Sequence, residues 1–102
     1  MNKVTISGNL TKDPEMYVDS NGDQVCGFTL AVDRWNQENT GPDYFRISVW
    51  GKKAENCMKY LHKGDKALVC GAVRLSIFTD TNTGKQSAML VVNAQEVEFI
   101  NK

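Results

Sequence analysis

The sequence predicts an all-β fold with one helix, a small barrel of five strands. Three observations carry that expectation. Five segments alternate apolar and polar residues between turn signals, one segment has helical spacing, and that segment falls between the third and fourth strands. A chain of 102 residues, 41% of them hydrophobic and 24% charged, has the composition and size of one globular domain. Such a domain can bury roughly 60–70% of its unfolded surface without a metal or disulfide staple. Residues 1–102 are therefore expected to form a single unit.

From Lys3 to Leu10, Val4, Ile6 and Leu10 fall on one face, opposite Lys3, Thr5, Ser7 and Asn9. Asp13-Pro14 and Asn21-Gly22-Asp23 punctuate a connection. Gln24 to Trp35 is the second strand, with Cys26, Phe28, Leu30 and Val32 on its apolar side. After the polar loop Asn36 to Asp43, with its Gly41-Pro42, Tyr44 to Trp50 is the third. Lys66 to Phe78 is the fourth, Thr79 to Gln86 a loop around Gly84, and Ser87 to Ile100 the fifth. Between Lys52 and Lys63, Ala54, Cys57, Met58 and Leu61 repeat at i, i+3, i+4 and i+7, one buried stripe of a helix. Lys59 and Lys63 complement its C-terminal dipole, and Gly64 follows as a C-cap. This order is that of the oligonucleotide/oligosaccharide-binding fold, a Greek-key barrel.

Charge and cysteine usage narrow the chemistry. Twelve Lys+Arg against twelve Asp+Glu give a net charge of zero, so no overall basic field marks a nucleic-acid binder, and only charge gathered on one face could. Cys26, Cys57 and Cys70 form no Cys-x-x-Cys pair, and the lone His62 has no nearby partner, so neither a metal nor another cofactor is expected. The thiols read as core residues of a reduced, cytoplasmic protein. The longest uncharged apolar run, Ala67 to Val73, is far short of the roughly 18–20 residues that span a bilayer, so no membrane association is expected. Asp13/Glu15 and Glu96/Glu98 lack a nucleophile or base, and no phosphate loop occurs. Nothing points to an enzyme.

The outer faces of two strands carry the informative pattern. Phe45, Ile47 and Val49 form the apolar side of the third strand, which leaves Tyr44, Arg46, Ser48 and Trp50 opposite. In the fourth, Val73, Leu75 and Ile77 point one way, and Arg74, Ser76 and Phe78 the other. Trp35, leaving the second strand, can join that face. Rings interleaved with guanidinium groups suit unpaired nucleic acid, because rings stack on bases and guanidinium meets phosphate. Aromatics on a polar face also serve as interface residues, which leaves a protein-interaction module as the alternative and RNA recognition as a third reading.

These residues also carry a resemblance. Asn2-Lys3-Val4, Gly8-Asn9-Leu10 and Lys12-Asp13-Pro14-Glu15 are similar to the opening of the bacterial and phage single-stranded DNA-binding proteins. The likeness continues through Thr29-Leu30-Ala31-Val32, Phe45-Arg46, Trp50-Gly51-Lys52, Ala54-Glu55-Asn56, Tyr60-Leu61 and Lys63-Gly64, then Gly71, Arg74 and Thr79-Asp80. It implies the same barrel, binding and protection of single-stranded DNA in replication, recombination or repair, and a nucleoid-associated place in the cytoplasm. It also implies self-association as a homotetramer, with a dimer as alternative; the first strand, free of proline, offers an edge for pairing. The family's stacking positions fall on Trp35, Tyr44, Trp50 and Phe78. Lys3, Arg34, Arg46, Lys52, Lys53, Lys63 and Arg74 are the candidates for phosphate contacts, Arg46 and Arg74 foremost.

Two departures stand out. Many members continue with basic residues after the position of Arg74, whereas this chain reads Leu75-Ser76-Ile77-Phe78, which implies fewer phosphate contacts there. The family's main cellular members carry a Gly/Pro-rich linker and an acidic tip that recruits replication and repair enzymes. Here the last strand runs straight into Asn101-Lys102, so such recruitment is not expected.

Overall fold

The computed structural model describes residues 1–34 and 41–100; Trp35, named above as a stacking residue, lies outside them. Its elements are β1 (Val4–Leu10), β2 (Glu15–Val18), β3 (Gln24–Val32), β4 (Asp43–Trp50), α1 (Lys52–Tyr60), β5 (Lys66–Thr79) and β6 (Gln86–Ile100). The five long strands close into a ring: β1 pairs β5, β5 pairs β6, β6 runs parallel to β4, β4 pairs β3, and β3 returns to β1. That is the oligonucleotide/oligosaccharide-binding barrel expected from the element order. Among the described residues the ring closes through Asn9–Ala31 and Leu10–Leu30, and the first half of the same edge of β3 is taken by β2.

β2 is the element the turn signals concealed. Asp13-Pro14 and Asn21-Gly22-Asp23 bracket it, and four residues give too short an alternation to register as a strand. It forms a tight hairpin with β3. The turn is organised by Asp19, whose carboxylate oxygen Oδ1 accepts from the backbone N–H groups of Asn21 and Asp23, both at 2.9 Å.

The core follows the predicted parity. Phe28, Leu30, Ile47, Val49, Val69 and Val92 are fully buried inside the barrel, and α1 caps one end with Ala54 and Cys57. The helix stops at Tyr60, short of the Lys63 expected. Leu61 turns to extended backbone (φ −96°, ψ 141°) and enters the core, while its N–H still closes the last turn on the Cys57 carbonyl at 3.0 Å. Lys63 and Gly64 therefore belong to the following turn, and burying Leu61 outweighs another helical rung. Cys26 on β3 and Cys57 on α1 share a thiol–thiol hydrogen bond, which together with burial pushes the Cys57 thiol well up from its ordinary value. Among the described residues no helix is long and apolar enough to cross a membrane.

Candidate nucleic-acid interface

Register decides which outward side chains are neighbours. Reading across the sheet, one row is Tyr17–Val25–Trp50, and the next is Glu15–Gly27–Ser48–Asn93–Ala72. The third row is Thr29–Arg46–Val91–Arg74. Beyond it lie Ala31–Tyr44 on one side and Ser76–Met89 and Phe78–Ser87 on the other. Tyr44, Arg46, Trp50, Arg74 and Phe78 thus share one continuous outer face, and the two arginines stand on either side of β6. Trp50 (40% exposed), Tyr44 (52%) and Phe78 (50%) all keep ring surface open to solvent.

The face has apolar support of its own. Val25 and Val91 are buried (0% and 7% exposed) although they point outward, and neither belongs to the barrel core cluster. Their register partners are the long side chains of the rows: Tyr17 and Trp50 beside Val25, Arg46 and Arg74 beside Val91. Rings and aliphatic stems can cover a small residue while their polar ends stay wet.

Trp50 is fastened. Its indole Nε1–H donates to Asp19 Oδ2 at 3.0 Å, which ties the ring to the β2–β3 turn. That bond, with the backbone donors of the turn behind it, holds the Asp19 carboxyl below the usual carboxylate range. Gly51 follows at φ +70°, a conformation L side chains rarely adopt, and lets the chain leave β4 directly for α1.

The predicted cations divide into groups. Arg46 lies half-buried in the face, Nη1 3.5 Å from the Thr29 hydroxyl and Nη2 4.0 Å from Glu15. Arg34 lines an open groove with Tyr44 and Phe78, but its guanidinium is paired with Asp43 at 2.9 Å. Lys52 lines a second groove beside Trp50. Lys3 is positioned by its neighbour: the Asn2 side-chain amide donates to the Val73 carbonyl at 2.7 Å and accepts from the Val73 N–H at 3.0 Å. It thereby adds a rung to the β1–β5 ladder, and the same register sets Lys3 beside Ala72, at the end of the second row. Two lysines lie elsewhere. Lys53 donates to the Gln95 carbonyl in a groove between α1 and β6. Lys63 belongs to the turn before β5, with its N–H on Asp13 at 2.8 Å. From Lys66 to Arg74 the strand rises roughly 25 Å, so Lys63 sits far from Arg74, while its bond to Asp13 keeps its turn beside the start of β2, where Glu15 approaches Arg46.

The sequence reading missed Tyr17, which is 42% exposed in the first row, and Asp19, which orients Trp50. Both belong to β2 and its turn, and four residues are too few for alternation to give either one a face.

A model of the single-strand binding protein family matches residues 1–100. This chain belongs to that family. Single-stranded DNA-binding protein 2 of Clostridium acetobutylicum is 39% identical over 103 residues, covering 98% of this chain and 77% of the relative. The single-stranded DNA-binding protein of Halalkalibacterium halodurans is 38% identical, covering 98% and 61%. Single-stranded DNA-binding protein 1 of Synechocystis sp. is 30% identical over 101 residues, covering 98% and 84%.

Proposed function

We propose that residues 1–102 act as one sequence-independent single-stranded DNA-binding unit that coats and protects unpaired strands during replication, recombination or repair. One observation carries the reading: three solvent-open rings and two arginines share a continuous outer face of a barrel whose family is named for binding single strands. Bases stack on Trp50, Tyr44, Phe78 and Trp35; Arg46 and Arg74 take phosphates first, with Lys3, Lys52 and Arg34 nearby and Lys53 and Lys63 farther off. Every base has a flat face, so stacking discriminates little between sequences. The unit binds without catalysis, in the cytoplasm.

Self-association is part of the proposal, as a homotetramer or, failing that, a dimer. Among the described residues β1 pairs β3 only at Asn9 and Leu10, and Gly8 already packs against Ala31, so one edge from Val4 to Ser7 is free to pair with a second copy. Light scattering that returns a monomer mass at micromolar concentration excludes this. The competing reading, a protein-interaction module, draws on the exposed Leu75 and Ile77. A gel shift with oligo-dT, duplex DNA and RNA separates the possibilities. Oligo-dT is expected to bind most tightly, and failure of all three at low salt favours the interaction module.

A further inference from the structure

We propose that the β2–β3 hairpin carries an additional base-stacking subsite, centred on Tyr17, which lengthens the aromatic track beyond Trp50. The proposal rests on the reading of the outer face as the strand-binding surface, and it adds a ring that no motif in the sequence marks.

Three features of the hairpin converge on it. The first is placement. Tyr17 opens the row that continues through Val25 to Trp50, so both rings rise from one side of the sheet with a buried valine between them. Two strand spacings separate their backbones by about 10 Å, far enough that each ring takes a base of its own. The second is the floor beneath the ring. A Cβ added at Gly27 would run into the Arg46 guanidinium and come within 3.0 Å of Tyr17 Cε1. The absent side chain lets the ring and the guanidinium lie side by side over the same backbone. A base stacked on Tyr17 would therefore have a cation beside it for its phosphate, the pairing of flat surface and positive charge that single strands require. Glu15, the register partner of Gly27, stands 4.0 Å from the guanidinium.

The third is rigidity. Asp19, two residues beyond Tyr17, fastens the hairpin turn to Trp50 through the indole bond, so the two rings belong to one mechanical unit. Tyr60 and Phe99, also exposed, touch each other in a tilted pair with centroids 5.9 Å apart. Tyr17 has no ring partner among the described residues; its neighbour is the Arg46 guanidinium, and it keeps 42% of its surface open on the same side of the sheet as Trp50.

The test is the affinity of the full chain for fluorescein-labelled oligo-dT, measured by anisotropy for Tyr17→Ala, Tyr17→Phe, Val18→Ala and Trp50→Ala. Tyr17→Ala is expected to bind about tenfold more weakly, within the range of one lost stacking contact. Tyr17→Phe keeps the ring and is expected to match the parent. Val18→Ala, which removes an exposed neighbour of opposite parity, should also match it. Parental binding by Tyr17→Ala alongside weakened Trp50→Ala overturns the subsite and leaves the face intact. Parental binding by both overturns the face itself. Equal loss in Tyr17→Phe and Tyr17→Ala overturns stacking in favour of a hydroxyl contact. Photocrosslinking of the unaltered protein to 5-iodouracil-substituted oligo-dT supplies a readout independent of folding. A crosslinked peptide containing Tyr17 supports the subsite, and crosslinks confined to other rings overturn it.

Discussion

At the Trp50 end of the outer face the ring rests beside a buried valine and is fastened to a tight hairpin by Asp19. At the Phe78 end the ring rides on a ribbon. Among the described residues, 76–79 of β5 and 86–89 of β6 pair only with each other, and beyond them the chain turns through Asp80–Lys85. Leu75 and Ile77, on the ribbon's other side, are 59% and 64% exposed, so alternation correctly assigned their direction while the barrel ended before it could cover them. Two rings with the same strand parity therefore differ in how firmly they are held. A preorganised ring loses little freedom on binding, whereas a mobile one must be ordered first.

The largest expected effect touches neither end. Leu61→Ala opens a cavity in the core under α1 and is expected to lower folding stability by about 2–5 kcal/mol, read from urea melts, while protein that remains folded binds oligo-dT as before. Trp50→Ala should cost about 1–3 kcal/mol of binding at any salt concentration and remove much of the quenching of tryptophan emission by oligo-dT. Phe78→Ala, measured in the same titration, should cost less. Equal losses at the two positions would show that fastening Trp50 contributes nothing to affinity and would break the comparison.

Arg46→Ala and Arg74→Ala are expected to weaken binding mainly at low salt, since screening removes an exposed phosphate contact. For single strands the slope of log affinity against log salt is about 0.7 per phosphate neutralised. With Arg34 already paired to Asp43 and Arg46 close to Glu15, the slope should be shallow. A steep slope would mean that lysines outside the face carry the charge contacts.

The smallest effect is confined to acid. The Asp19 pKa is lowered in the folded chain, first by the Trp50 indole bond. Its contribution is therefore fully present above the unfolded aspartate value of about 3.9 and is lost only as pH falls through the lower folded value. In a Trp35→Phe background, Trp50 emission should stay constant from neutral pH to about 4 and change below it. Asp19→Asn keeps an acceptor and should abolish that acid transition. A transition that persists in Asp19→Asn would sever the link between the carboxylate and the ring.

The barrel is legible because its strands are long enough to alternate and its helix keeps a stripe of Ala54, Cys57 and Met58, with Leu61 entering the core just past the last turn. What escaped was β2, where Glu15 to Val18 is too brief for a period to emerge between two turn signals. With it went Tyr17 and Asp19, whose roles depend on register with β3 and on a contact spanning 31 residues of chain. Parity predicted that Arg46 and Arg74 share a face, but their position on either side of Val91 follows from the parallel pairing of β4 with β6, which no local pattern announces. Lys53 and Lys63 join the phosphate candidates by family likeness alone; Lys53 bonds the Gln95 carbonyl beside α1, and Lys63 lies in the turn before β5, held by Asp13.

Val25 and Val91, buried outside the core cluster, give this barrel two hydrophobic layers of different thickness. The inner one sets whether the chain folds; the outer one seats the rings and guanidinium groups. Substitutions in the two layers should add with little interaction where they stand more than about 10 Å apart, and should couple at chain neighbours such as Val91 and Val92, which share one stretch of backbone. A ring or cation exchanged on the outer face should therefore alter what the face can hold while leaving the inner layer, and the fold it sets, in place.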